Sequence, residues 1–216
     1  EGIIIGDGLV EALNLSRFSA LAGRDLGGAL RARIDGTFGP SPDLFLIEAE
    51  ITGQNLTLDQ AELDRLLAGE STISLQAQGL RDGIALQRLE ARAQTLRADL
   101  SGALRDDVVD LRGALDFADL SVLGGAFGGA LDAQVNIAGP LGREAVQVQA
   151  TARDLSVGQL ELDRALQGQT RLRITGQRDD LAFDLTELVL ENPVLQANAQ
   201  GRIDPGASDL QLAFAV

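Results

Sequence analysis

The sequence predicts an all-β protein: an extended antiparallel sheet with one apolar face, made of two repeats of about 100 residues that each carry one short helix. Three observations predict it. Apolar and polar residues alternate over most of the chain, the period of a strand whose two faces meet different surroundings. Segments 55–104 and 154–203 align without a gap at an offset of 99 residues. Clusters of Gly, Pro and Asp separate the alternating stretches, as turns require.

The elements follow from that pattern in chain order. Leu30, Ala32 and Ile34 share one phase, and Arg31, Arg33 and Asp35 the other. The apolar phase continues at Phe45, Ile47, Ala49 and Ile51, at Ile73, Leu75 and Ala77, and at Leu96, Ala98 and Leu100. In the second half it holds Leu131, Ala133, Val135 and Ile137, then Val146, Val148 and Ala150. Leu172 with Ile174, Phe183 with Leu185, Leu195 with Ala197 and Ala199, and Leu210 with Leu212 and Phe214 extend it. The intervening positions are mostly charged, amide or hydroxyl residues, so one face is apolar and the other wet.

Residues 38–43 and Gly139-Pro140-Leu141-Gly142 read as loops, and Arg81-Asp82-Gly83 and Arg178-Asp179-Asp180 as hairpin turns at matching places. Asp59-Gln60-Ala61-Glu62 has the form of a capping box. A short helix is expected over 60–68, with Leu63, Leu66 and Leu67 on one side and Gly69 after its end. Its copy runs from Gly158 to Gly168. Ser16 to Gly23 is a further helical segment, with a Gly-rich counterpart near Ser121. Gly27-Gly28-Ala29-Leu30 falls on Gly128-Gly129-Ala130-Leu131, and Gly39-Pro40 on Gly139-Pro140. The expected division is an N-terminal edge at 1–8, a first repeat at 9–104 and a second at 105–216 that continues the same sheet, because no Pro/Ser-rich linker intervenes.

Composition narrows the function classes. The net charge is −14, which opposes nucleic acid and adsorption to anionic membranes, since both draw on Lys and Arg. All 18 basic residues are Arg. No run approaches the length of a membrane-spanning helix. The chain has no Met, so it is expected to be a segment of a longer protein. His, Cys, Lys and Tyr are absent too, which leaves only carboxylates as bases and Ser or Thr as nucleophiles. The acids fall on the polar phase, where water solvates them, so no enzyme activity, cofactor or metal is expected.

Three motifs invite chemistry and have plainer explanations. Gly6-Asp7-Gly8 lacks the following helix of a dinucleotide loop and reads as a turn. Residues 124–129 are Gly-rich, like a phosphate cradle, but their partner Leu26-Gly27-Gly28 is not, so a bend before a strand is expected. Asp106, Asp107 and Asp110 lack the ladder of a calcium loop and read as a solvated turn.

The apolar face is therefore the candidate site. It reads either as a sandwich core or as an open trough for an apolar ligand. Mid-sized aliphatic side chains, repetition along the chain and the lack of an inward polar anchor favour the trough. The proposed lining comprises Leu30, Ile34, Phe45, Ile47, Ile73, Leu75 and Leu100 in the first repeat. In the second it comprises Leu131, Val135, Ile137, Val146, Val148, Leu172, Ile174, Phe183, Leu195, Leu212 and Phe214.

The order of a strand, the segment 15–23 (Leu-Ser-Arg-Phe-Ser-Ala-Leu-Ala-Gly), Gly-Gly-Ala-Leu at 27–30, a strand ending in Gly36-Thr37-Phe38-Gly39-Pro40, and Asn55-Leu56-Thr57-Leu58 resembles the repeats of the TamB family. That family, the translocation and assembly module proteins, lies in the AsmA-like superfamily of bridge-like lipid transfer proteins. The resemblance covers nearly the whole chain and implies a middle segment of the repeat region. It implies a taco-like open groove in a periplasmic protein anchored in the inner membrane, with an Omp85-type outer-membrane barrel engaged by parts outside these residues. It implies passage of phospholipid acyl chains between the membranes, and it brings no catalytic residue. The alternatives are a scaffold or chaperone that aids outer-membrane β-barrel assembly by strand addition, and a purely structural β-repeat.

Overall fold

The computed structural model describes residues 2–41 and 43–215. Thirteen strands form one antiparallel sheet whose spatial order is the order of the chain. The strands are β1 (Ile4–Ala12), β2 (Gly27–Phe38), β3 (Phe45–Thr57), β4 (Glu70–Leu80), β5 (Gly83–Arg92), β6 (Leu96–Arg105) and β7 (Val108–Phe117). They continue as β8 (Gly128–Pro140), β9 (Ala145–Ser156), β10 (Gln169–Asp179), β11 (Ala182–Glu191), β12 (Gln196–Ile203) and β13 (Ser208–Ala215). The chain divides into two compact units, Glu1–Ala103 and Leu104–Val216.

Three short helices join strands: α1 (Ser19–Ala22), which follows a 3-10 turn at Leu15–Phe18, α2 (Ala61–Leu66) and α3 (Leu160–Ala165). A second 3-10 turn spans Leu120–Leu123. In the first unit the helical connections follow β1 and β3, so they lie at one end of the sheet, while the β2–β3 and β4–β5 turns lie at the other. The second unit has the same arrangement after β7 and β9.

The two helical crossings share their local geometry. Asn55 and Asp154 take φ of 49° and 50°. Each exchanges bonds with a glycine beyond the helix: Asn55 N–H donates to Gly69 O (2.7 Å) and Gly69 N–H to Asn55 Oδ1 (2.9 Å). Asp154 and Gly168 repeat both bonds at 2.9 Å. The expected capping box does not form. Asp59 has φ 60°, the cap is Gln60, and no side chain bonds there. Asp64 and Asp163 reach back from inside the helices instead, accepting from Leu58 N–H (2.6 Å) and Val157 N–H (2.7 Å). Six residues are too few for a broad apolar stripe. Leu66 is buried and Leu63 is not, and in the second crossing Leu166 is buried while Leu160 and Leu162 are exposed.

Register shifts at β-bulges bend the sheet, and the one in β11 shifts its pairing with β12 as well, between Leu185 and Leu188. In β2–β3 and β8–β9 the extra residue lies opposite Gly28 or Gly129. In β4–β5 and β10–β11 it falls at Gln87 or Thr186. Such bulges raise local twist and re-aim side chains. Gly28 and Gly129 have φ of 86° and 92°. A Cβ there would lie 2.3 Å from Asn55 O or 2.4 Å from Arg153 O.

Several sequence expectations are corrected. Gly6-Asp7-Gly8 is not a turn but lies within β1, opposite Gly36, Asp35 and Ile34. Gly139 and Pro140 are not loop but the last residues of β8, opposite Val109 and Val108. A strand end tolerates the missing proline N–H, and the turn moves on to Leu141–Arg143. Arg178 and Asp179 belong to β10, so the hairpin turns at Asp180–Leu181. The second helix is shorter than Gly158 to Gly168, because the clamps at Asp154 and Asp163 occupy its flanks.

Gly129→Ala is expected to lower the urea unfolding free energy by about 2 kcal/mol or more, since left-handed strain adds to a backbone clash. Gly168→Ala, also left-handed (φ 82°) but facing open space, should cost about 1 kcal/mol.

Candidate functional site

The registers align the apolar phase into continuous rows. In the first unit one row is Gly8–Ile34–Ala49–Leu75–Leu89, and another is Gly6–Gly36–Ile47–Ala77–Leu86. A third is Val10–Ala32–Ile51–Ile73–Ala91. Leu30 continues the phase next to Ala12 and Gly53, and Phe45 opposite Phe38. In the second unit the rows are Gly113–Val135–Val148–Ile174–Leu188–Ala199–Leu212 and Leu115–Ala133–Ala150–Leu172–Leu190–Ala197–Phe214. A further row is Leu111–Ile137–Val146–Gly176–Leu185–Gly201–Leu210. Leu131 pairs with Phe117 and Ala152, and Phe183 with Ile203.

All the strand residues named as lining thus fall in the apolar phase of their own unit. Leu100 lies in β6, in phase with the buried Ala98. Leu195 lies just before β12 and is buried; its N–H donates to Asn192 Oδ1 at 2.7 Å. The pattern reading missed Leu89, Leu111, Leu115, Leu188 and Leu190, which share the same rows, as does Ile51, read in the apolar phase but not named as lining.

Among the described residues, no second layer covers this face within either unit. The buried apolar residues are mostly small, such as Ala32, Ala49, Ala98, Ala133, Ala150 and Ala199. Leu30, Ile47, Ile73, Leu75, Val135 and Ile174 are only half-buried, and Ile34 is 40% exposed. Accessible area makes the same point. The chain exposes 13623 Å², whereas a compact protein of its mass would expose about 9,500 Å², and two compact bodies of half that mass about 11,500 Å². Phenyl rings fill the gaps left by glycine. A Cβ on Gly36, Gly79 or Gly176 would lie 2.8, 2.5 or 2.5 Å from the ring of Phe38, Phe45 or Phe183.

The rows carry no charged side chain between their ends. At the helical end they close with buried Ser71 or Thr170. At the turn end of the second unit they close with Glu144 and Arg178, 3.8 Å apart. Glu144 is buried, and Gly142 N–H donates to its Oε1 at 2.9 Å. That bond, reinforced by Arg178, holds its carboxyl below the ordinary value.

The opposite face is polar. It carries exposed ion pairs such as Arg31–Glu11 and Arg153–Asp132, and Glu90 lies between Arg88 and Arg92. Arg88 holds the Glu90 carboxyl below its usual range. On this face, a depression of 610 Å³ is lined mainly by Thr175, Thr186, Glu187, Asn198, Gln200 and Gln211, and one of 390 Å³ by Arg33, Asp35, Glu48, Glu50, Gln76 and Arg88. A twisted sheet is saddle-shaped, so its polar side has hollows as well.

Asp106 and Asp107 form the β6–β7 turn with φ of 44° and 61°. Among the described residues no group of three acidic side chains could hold a metal ion. Nor is any described helix long and apolar enough to cross a membrane. No known family, curated protein or solved structure matches the chain.

Glu144 generates a pH prediction. A lowered folded pKa means that the folded state binds fewer protons than the unfolded one, so stability is full above the ordinary value of 4.5 and falls as pH drops through the lowered one. Urea midpoints should therefore fall between pH 7 and pH 3. The loss should be smaller in Glu144→Gln, whose amide oxygen can still accept from Gly142.

Proposed function

We propose that the apolar face is a non-enzymatic conduit for phospholipid acyl chains. In this reading the sheet curls into a taco-like groove, with tails along the rows and head groups at the open margin. One observation carries it: uninterrupted, uncharged rows of half-exposed aliphatic side chains on which, among the described residues, no second layer of the same unit packs.

Burying each CH₂ contributes about 0.8 kcal/mol. A whole acyl chain is held by something on the order of 10 kcal/mol before the entropy of confinement is subtracted. Because small and branched aliphatic side chains alternate along each row, with no polar anchor inside, a tail meets many similar positions and no single deep one. That suits passage better than storage.

The resemblance to TamB-family repeats supplies the setting: a periplasmic segment of an envelope protein anchored in the inner membrane. It would serve with an Omp85-type barrel in a translocation and assembly module, in outer-membrane biogenesis and protein secretion.

The test uses neighbouring residues of one strand. Val135 lies in an apolar row and Gln134 on the polar face. A photo-crosslinker at Val135 should recover lipid adducts by mass spectrometry when the chain is incubated with phospholipid vesicles, and one at Gln134 should not. Equal labelling from both would reject the conduit. Ile174→Arg should abolish the adducts from Val135, because an unpaired charge beside the tails costs several kcal/mol. Gln134→Arg should leave lipid binding unchanged.

A further inference from the structure

The apolar phase of β10 runs through Leu172, Ile174 and Gly176 and ends on Arg178, which lies opposite Phe183. Arg112, Arg153, Arg171, Arg173 and Arg202, also in strands of the second unit, lie in the polar phase. Arg178 is therefore a cation at the turn end of a lane of uncharged side chains. The fold does not require one there. The offset of 99 residues sets Arg178 on Gly79, and in the first unit Gly79 is covered by the Phe45 ring.

The guanidinium is held in place without being saturated. Arg178 N–H donates to Glu144 O (2.8 Å) and Nε–H to Asp180 O (2.7 Å), so backbone and stem are fixed. Glu144 Oε2 stands 3.8 Å from Nη1, beyond hydrogen-bond distance, and no described residue accepts from either terminal amino group. The Glu144 side chain is 6% exposed and that of Arg178 51%. The carboxyl thus offsets part of the charge from the buried side and leaves the outward side open. The neighbouring acids are engaged elsewhere. Asp179 and Asp184 bond to Arg202 on the polar face, and the Asp180 carboxyl turns toward Gly142, where a Cβ would lie 3.3 Å from its Oδ1.

We propose that Arg178 binds the phosphate of a lipid whose tail runs down the apolar lane of β10. The two terminal amino groups form a planar fork that matches two phosphate oxygens. From Arg178 to Leu172 the strand covers about 20 Å, more than the ~15 Å that one tail fills in half of a bilayer's hydrocarbon core. The Phe183 ring lies over Gly176 and gives the first carbons beyond the head group an apolar floor. Further along, Val148 and Leu188 flank Ile174. The anchor stands at the margin and not within the rows, so the tail itself meets no polar group. The inference rests on the acyl-chain reading and adds an anionic phosphate as the head group that this end of the face recognises.

The test is isothermal titration calorimetry of the whole chain with three probes: a monoacylglycerol phosphate, the monoacylglycerol of the same tail, and inorganic phosphate. The lipid phosphate should bind about tenfold more tightly than the neutral lipid, the effect of one charge-assisted hydrogen bond. Inorganic phosphate, which has no tail to bury, should bind at least about tenfold more weakly than the lipid phosphate. Arg178→Gln should bring the two lipids to within about threefold of each other and leave the affinity of the neutral one unchanged. Arg173→Gln, in the polar phase of the same strand, should keep the preference. Because Arg178→Gln leaves the buried Glu144 without its partner, the double substitution of Arg178→Gln with Glu144→Gln is measured beside it and should lose the preference too. Glu144→Gln alone should keep it, since the guanidinium remains and the opposing charge is gone. Binding of neither lipid would overturn the acyl-chain reading and the anchor with it. The anchor alone falls if both lipids bind equally, if the preference survives both Arg178 variants, if it vanishes in Arg173→Gln or Glu144→Gln, or if inorganic phosphate binds as tightly as the lipid phosphate.

Discussion

Strand register is the constraint on which the rest depends. Side chains alternate between faces, so a slip of one residue in any hairpin would move that strand's aliphatic set to the polar side. The hairpins hold register at specific places. Asn55 and Asp154 bond glycines beyond the short helices and fix where β4 and β10 begin. The bulges at Gln87 and Thr186 absorb one residue each, so that Leu89 and Leu188 return to the phase of Leu75 and Ile174. The rows of the apolar face exist because these corrections are made within each hairpin.

Within each unit the described residues put no second layer on the sheet, which limits its sources of stability. The ion pairs of the polar face are largely exposed, and such pairs contribute about 0–1 kcal/mol each. Cross-strand aliphatic pairs contribute about 0.2–1 kcal/mol each, and they are numerous here. Alanines occupy the mid-strand positions where neighbouring side chains close over the backbone, which is why Ala32, Ala133 and Ala150 are buried while longer neighbours remain half-exposed. Phe38, Phe45 and Phe183 cover glycines whose backbone would otherwise face water. The same choice of residues keeps the face low and uniform, as the proposed passage of acyl chains would require.

Most of the strands were legible because their alternation is unbroken. β1, β5 and β7 were not read from the pattern, and the reasons are physical. Gly6, Gly8 and Gly113 occupy apolar-phase positions, where their lack of a side chain hides the period. In β5 the alternation breaks at Leu86-Gln87-Arg88-Leu89. The same break, Leu185-Thr186-Glu187-Leu188, hid Leu188 and Leu190 in β11. Two consecutive polar residues between leucines are the signature of the bulge, and the signal was present at the matching offset. The capping box failed for a different reason. Asp59 takes a left-handed conformation, and Asp64, a residue that reads as helix surface, supplies the bond that closes the turn. Whether a face that is apolar in sequence is covered is not written in its period; it depends on whether another layer packs there.

Because every strand pairs with its neighbours in sequence, the fold is close to one-dimensional. Loop closures between strand partners are short, which favours folding from any hairpin outward. Stability is then nearly a sum over adjacent pairs, and a perturbation on one strand is felt mainly by the two beside it. The rows at Val135 and Ile174 lie inside the second unit, flanked on both sides by paired strands. A charge placed in those rows alters the apolar face locally, while ladders more than one strand away keep their register. A globular core, in which one residue touches every layer, would spread the same perturbation through the whole molecule.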